Sequence, residues 1–265
     1  MRDSRLGGRS DACLDFIRVA GRTYKTEAIV LRSLRFSEAD RILHLYTAER
    51  GRVGAIAKGA RRTKSRFGGR LEPLSQVELV LHEGSGELHT VTGVTLLRSH
   101  HEIREEPYRL SVGLIAAEAM LRLFGEPEAN ARAFSALERF LELVDTAPVL
   151  TPARPALDPL ALSFQLKLLW LSGYLPHVTS CVECGSSGGL VGFSPRAGGA
   201  VCRDHASGAS SLSTEALVGI ERLLSTPLAE AHAAGLSERA RREALSVVTS
   251  SYEEHGGFRL RTLSA

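Results

Sequence analysis

Hydrophobic and polar positions change period along this chain of 265 residues. Between Tyr24 and Leu97 the apolar residues come in short runs broken by turn residues. Ala28-Ile29-Val30-Leu31 lies within Lys25–Leu34, and Ile42, Leu43, Leu45 and Tyr46 lie within Arg41–Thr47. Arg52–Lys58 reads Arg-Val-Gly-Ala-Ile-Ala-Lys. Gln76–His82 alternates Val77, Leu79 and Leu81 with Glu78 and His82, although Val80 blurs the pattern, and Leu88–Leu97 is rich in valine and threonine. Runs of this length predict strands. Glu49-Arg50-Gly51 and Glu83-Gly84-Ser85-Gly86 mark turns, the second short enough for a hairpin. Five strands in about 75 residues, curved by glycines, predict a small barrel; the five-stranded OB-fold is the first candidate and an SH3-like barrel the alternative.

After His101 the period becomes helical. Pro107 suits a first turn. Leu110, Leu114, Ala117 and Leu121 follow at helical spacing, and Gly125 ends the run. A second helix is expected over Glu128–Val144, with Phe134, Leu137, Phe140 and Leu141 on one face. Pro148, Pro152, Pro155 and Pro159 mark a stiff connector. Leu160–Ser172 is apolar nearly all round, through Leu162, Phe164, Leu166, Leu168, Leu169, Trp170 and Leu171, which predicts a buried helix. Two more helices are expected. One starts near Ser213 as N-cap, without a capping box because Ala216 cannot reach back; the other spans Ser237 to Glu254.

The fold class expected is therefore α+β. A five-stranded OB-fold barrel (residues 23–99) precedes a helical domain (residues 100–265). Residues 1–22 carry scattered Arg, Gly and Asp without periodicity and are expected to form a flexible leader. They show no secretory signal. A hydrophobic content of 43% and a charged content of 24% fit a globular protein, and no apolar run reaches the length of a membrane span.

Charge sharpens this division. The net charge of +3 conceals 18 Lys/Arg against 11 Asp/Glu in residues 1–98, and 15 against 19 in the remainder. A basic front and an acidic back point to a polyanion-binding module joined to a part with another task. The basic excess is concentrated in Lys58–Arg70, with six cations and no acid in 13 residues. The segment falls between the third and fourth strands. Lys58, Arg61, Arg62, Lys64, Arg66 and Arg70 are the expected phosphate contacts, and Phe67 is placed to stack on a base. Arg32, Arg35 and Arg41, on neighbouring strands or turns, are expected to extend the patch.

Cys181-Val182-Glu183-Cys184 and Cys202-Arg203-Asp204-His205 give the spacing C-x2-C-x17-C-x2-H. Two close pairs of soft donors across a short insert suit one tetrahedral zinc ion, here in an element at about residues 179–206. Four protein donors fill all positions, which favours a structural ion. Disulfides are the competing reading, but one donor is histidine and Cys13, the other cysteine, is distant in sequence. Thiols used as ligands fit a reducing, cytoplasmic setting. His100-His101-Glu102 matches the His-x-Glu half of a zinc deaminase signature, yet Ser180 stands where that signature needs proline.

Several segments resemble one family. Thr26–Leu31, Ser37–Leu43, Thr47–Val53, Ala57–Arg62 and Gly69–Pro73 are similar to the N-terminal domain of the RecO recombination mediators. Phe164–Leu169, Gly173–Pro176 and Cys181–Gly185 resemble that family's helix-to-zinc junction, in its zinc-bearing, Deinococcus-like form. The resemblance implies DNA repair and recombination without nucleotide hydrolysis. It implies binding of single- and double-stranded DNA, annealing of complementary strands, and action with RecR to load RecA on DNA coated by single-strand-binding protein. It also implies a structural zinc held by Cys181, Cys184, Cys202 and His205, the last where many relatives carry cysteine. The competing functions are an RNA-binding barrel with a zinc knuckle and a zinc-dependent hydrolase or deaminase.

Overall fold

A computed structural model describes residues 22–125, 128–147 and 154–264. Apart from Arg22, the expected leader with Cys13 lies outside the described residues, as do Pro148 and Pro152 of the connector. The five expected strands are β1 (Arg22–Phe36), β2 (Asp40–Thr47), β3 (Gly51–Ala57), β4 (Gln76–Glu83) and β5 (His89–Arg98). They close into a barrel in the order β1-β2-β3-β5-β4, an OB-like arrangement. Neighbours are antiparallel except β3 and β5, which run parallel. Closure leaves no unpaired edge.

The apolar run at the centre of β1 serves two cores. Ala28 and Val30 point into the barrel with Leu43, Leu45, Val77, Leu79 and Leu81. Ile29 and Leu31 point outward and, with Tyr46 and Leu74, join the core of the helical domain. A strand buried on both faces loses strict alternation. A bulge between Val30 and Arg32 then shifts the phase. Beyond it Arg32 pairs His44, Leu34 pairs Ile42 and Phe36 pairs Asp40.

The helical domain comprises α1 (His101–Glu105), α2 (Pro107–Leu123), α3 (Ala131–Thr146), α4 (Pro159–Leu171), α5 (Thr214–Ser225), α6 (Glu238–Ser251) and α7 (Arg261–Ser264). Between α4 and α5 lies a small sheet that sequence periodicity did not reveal. Its strands β6 (Leu190–Ser194), β7 (Gly199–Cys202) and β8 (Ser210–Ser211) run in the order β7-β6-β8.

Local chemistry explains the helix starts. The Glu106 carboxylate accepts from Tyr108 N and Arg109 N, and Pro107 opens α2. Asp158 caps α4 by accepting from Leu160 N at 2.8 Å, and its other oxygen accepts from the Tyr108 hydroxyl at 2.7 Å. His232 Nε2 stands 3.3 Å from the same carboxylate. Ser213 caps α5, as its position implies. The carboxylate that Ala216 cannot supply comes from α6, where Glu243 accepts from Ser213 N at 2.7 Å. Glu215 of α5 returns the arrangement by accepting from Ser237 N, the cap of α6, at 2.8 Å. Two helices thus cap each other.

Trp170 departs from the expectation. Leu160 to Leu169 of α4 are buried except Lys167, but Trp170 is 51% exposed. A helix apolar on all sides does not mark which side faces out, and its last turn passes the edge of the core.

Close backbone approach joins barrel and helices. A Cβ on Gly113 of α2 would lie 2.6 Å from Leu74 Cδ1. Gly51, at φ +64°, would place one 1.9 Å from the Glu128 carbonyl oxygen. Tyr46 meets Phe124 edge-on with ring centroids 5.6 Å apart, and Gln76 Nε2 donates to Glu138 at 2.8 Å.

His100 stands at the junction of the two parts. It is 3% exposed, has a left-handed φ of 45°, and lies 3.9 Å from Asp145. Burial pushes its pKa down, outweighing the attraction of Asp145. A histidine with a depressed folded pKa binds fewer protons folded than unfolded, so its contribution to stability is lost as pH falls below about 6.5. Asn accepts this backbone conformation and does not titrate. The His100→Asn variant is therefore expected to lose less of its urea midpoint than the parent between about pH 7 and about pH 5. Parallel losses would show that His100 does not titrate in that window.

Candidate metal centre and nucleic-acid surface

The first cysteine pair sits on a tight knuckle. Gly185 N donates to the Cys181 carbonyl at 2.8 Å, Cys181 N donates to the Ser186 carbonyl at 2.8 Å, and Val182 N donates to Ala200 of β7 at 3.0 Å. Gly185 supports the reversal with φ +75°. Cys202 ends β7, and His205 follows in a single 3-10 turn.

These elements bring the four donors together. Cys202 Sγ lies 3.2 Å from His205 Nδ1, Cys181 Sγ lies 3.7 Å from the same nitrogen, and Cys184 Sγ lies 3.8 Å from Cys202 Sγ. All four ligand atoms fall within 4.8 Å of one another. Donors bonded at about 2.3 Å around a tetrahedral ion stand about 3.8 Å apart. The group can therefore hold one metal ion. Burial opposes ionisation of Cys181, but the N–H groups of Cys202, Cys184 and Glu183 bring its thiol down to about 6. The thiolate is the ligand form. His100, the start of the His-x-Glu pattern, lies at α1 and is not one of the four donors.

Packing ties this centre to the helices. Phe193 of β6 and Ala200 of β7 belong to the helical core, whereas Val201 and Cys202 pack with Cys181. Leu190 touches both clusters.

The basic segment folds back across one end of the barrel. Arg61 N donates to the Ala39 carbonyl at 2.8 Å, and Gly59 N donates to Asp40 Oδ1 at 2.8 Å. Lys58, Arg62, Lys64 and Arg66 are exposed. Arg61 is exposed but its guanidinium donates to the carbonyls of Ser37 and Glu38. Arg70 donates likewise to Arg66 and Phe67 and closes its own turn.

Phe67 is not available for base stacking. It is 1% exposed and lies with Leu71 among the interior residues of the barrel. An open barrel end must be filled, and this ring fills it, with the Arg66 guanidinium 4.9 Å above. Arg41 is also engaged: it is half-buried, pairs with Glu72 at 3.2 Å and donates to Ser33 at 3.0 Å. Arg35, opposite it in register, is exposed. Arg32 faces away from the loop, into a cleft beside α2.

The exposed aromatic next to the loop is instead Phe36, 47% accessible at the end of β1. Leu34, Ile42 and Ile56 share the outer face of β1–β3 with it and are only partly covered. The signal for this platform was the phase of β1 after the bulge, which sequence alone does not display.

Comparison with known proteins agrees with this architecture. The family model described as "Recombination protein O N terminal" matches residues 22–100, and "Recombination protein O C terminal" matches residues 104–264. The chain is 41% identical over 226 residues to a protein named DNA repair protein RecO from Rubrobacter xylanophilus, covering 83% of this chain and 88% of the relative. A protein of the same name from Anaeromyxobacter sp. (strain K) is 34% identical over 242 residues, covering 89% and 92%. One from Symbiobacterium thermophilum is 34% identical over 221 residues, covering 81% and 85%.

The metal geometry yields a test. Cys202→Ser removes one donor and weakens the bridge between knuckle and β7. The expected outcome is loss of bound metal by elemental analysis and destabilisation on the order of 3 kcal/mol, a Tm fall of roughly 6–12 °C. A metal-free variant with the parent's Tm would contradict a bracing role.

Proposed function

This chain belongs to the RecO family of DNA repair proteins, and from that premise we propose that it is a recombination mediator acting on DNA through its barrel. In this reading it binds single- and double-stranded DNA and anneals complementary strands. With RecR it helps RecA load on DNA coated by single-strand-binding protein, and it hydrolyses no nucleotide. The observation that carries the proposal is the exposed cation row Lys58, Arg62, Lys64 and Arg66, set at the edge of the platform formed by Leu34, Phe36, Ile42 and Ile56.

The physical logic is one of charge and exposure. Annealing requires two polyanions to approach. A basic surface lowers their repulsion by displacing counterions, and contacts to phosphate leave base edges free to test pairing. A stacking platform holds bases without reading sequence. The metal at Cys181, Cys184, Cys202 and His205 is proposed to be zinc, which favours a closed tetrahedron of sulfur and imidazole donors and lends the fold rigidity.

The helical domain is proposed to receive single-strand-binding protein. Trp170 is exposed between two cavities of about 430 Å³, one bounded by Leu175 and Pro176 and the other by Arg132 and Ala136. Lys167 borders both. An apolar groove around Trp170, with Arg132 and Lys167 on one side and Glu221 on the other, suits the apolar and acidic tail of that protein.

Two measurements test these assignments. Arg62→Glu with Lys64→Glu spares Arg61 and Arg70, which hold the loop's shape. The pair is expected to weaken binding to DNA of any sequence and to lower the salt slope for single strands by about 0.7 per lost contact. Unchanged binding and slope would remove the loop from the interface. Trp170→Ala is expected to weaken binding of the acidic tail peptide about tenfold or more, as loss of a central aromatic anchor does. Equal affinity by calorimetry would place the tail elsewhere.

A further inference from the structure

We propose that the cleft between barrel and helices is a second phosphate-binding site, which takes the backbone of a nucleic-acid strand as it leaves the outer barrel face. The proposal rests on the DNA-binding reading above and extends it to a place that reading does not use. The cleft has a volume of about 620 Å³. Arg32 and Arg52 enter it from the barrel, Arg122 from α2 and Arg261 from α7, over an apolar floor that includes Leu31 and Leu121.

Four guanidinium groups from four separate elements, β1, β3, α2 and α7, converge on one concave space. Arg52 donates to the Leu121 carbonyl and so fastens the floor. Arg32, Arg122 and Arg261 are exposed, and none lies within ion-pair distance of a carboxylate among the described residues. The acid of the lining, Glu118, is committed elsewhere. Its carboxylate accepts from Arg261 N at 3.1 Å, Thr262 N at 2.9 Å and the Thr262 hydroxyl at 2.7 Å. Burial opposes the effect, but those bonds, together with the charge of Arg122 one turn further along α2, depress its pKa. They also dock α7 and bring Arg261 to the rim. The guanidinium is the side chain best matched to phosphate, because its planar fork donates two bonds at once.

Position on the barrel identifies the ligand as a strand. His44, also in the lining, lies four residues along β2 from Asp40, whose carboxylate holds the start of the basic loop. Arg52 of β3 lies six residues before Lys58, which follows the strand. At about 3.3 Å per residue, the cleft is roughly 13–20 Å from the loop. That span falls within the ~4–16 nucleotides one such barrel covers. Between the two cationic ends runs the apolar platform with Phe36. Charge, stacking surface and charge again is the order a single strand requires. An acidic peptide has no use for the platform.

The test uses the full chain and fluorescent single-stranded oligonucleotides of two lengths, one long enough to reach from loop to cleft and one too short. Arg122→Ala with Arg261→Ala keeps the backbone N–H that holds α7, and Arg32→Ala repeats the test from the barrel side without touching either helix. The double variant is expected to bind the long oligonucleotide about tenfold more weakly, with a salt slope lower by about 1.4, while the short one binds as before. Arg32→Ala is expected to lower the slope by about 0.7. Parent-like affinity and slope for the long oligonucleotide in both variants would overturn the proposal. So would unchanged DNA binding with loss of binding to polyglutamate, which would make the cleft a site for an acidic partner. The loop variant separates the two readings. If it weakens DNA binding while the cleft variants do not, the cleft assignment alone fails; if neither does, the DNA-binding reading fails with it.

Discussion

The packing of α2 against the outer face of β1 and β2 is the contact on which the rest of the molecule depends. Ile29, Leu31, Tyr46 and Leu74 are each at most 2% exposed, and all four belong to the helical core. Burying a large apolar side chain contributes about 1.5–3 kcal/mol. Four at one seam make the barrel and the helices a single structural unit. Gly51 and Gly113 permit the approach by leaving out side chains where the neighbouring backbone and Leu74 would collide. Because the helical core covers Ile29, Leu31 and Tyr46 but not the outer face beyond the bulge, Leu34, Phe36, Ile42 and Ile56 remain partly or fully open beside the basic loop. The same seam draws Arg122 and Arg261 toward the barrel. One packing decision therefore creates both the open platform and the cleft.

The metal centre stands apart from that surface and supports the other end of the helical domain. Its small sheet has one set of residues, Phe193 and Ala200, in the helical core and another, Val201 and Cys202, against the donors. Few apolar residues serve the knuckles themselves. A bound ion would supply what so small a cluster cannot, which is a fixed relation between Cys181–Cys184 and Cys202–His205. Four protein donors around such an ion would leave no position for an activated water.

Much of this was legible in the sequence because the signals are local. Turn residues and short apolar runs placed five strands, helical spacing placed α2 and α3, and ligand spacing placed the four donors that the fold brings together. What escaped depends on contacts distant in sequence. Phe67 follows a run of cations and looks like a stacking residue, yet it fills the barrel end. Trp170 belongs to a helix with no polar side, so nothing local shows that it faces out. Arg41 looks like part of a basic patch, but Glu72, thirty-one residues away, engages it. The bulge after Val30 reverses which residues of β1 face outward, and so decides where Phe36 and Arg32 lie.

In the function proposed above, this fold brings DNA strands together by charge and stacking alone. A strand-annealing assay on complementary DNA coated with single-strand-binding protein, in the absence of any nucleotide and with or without RecR, tests it most directly. The expected result is annealing by the chain itself, with no need for nucleotide. Failure to accelerate annealing of either coated or naked strands, at salt low enough for DNA to bind, would contradict it.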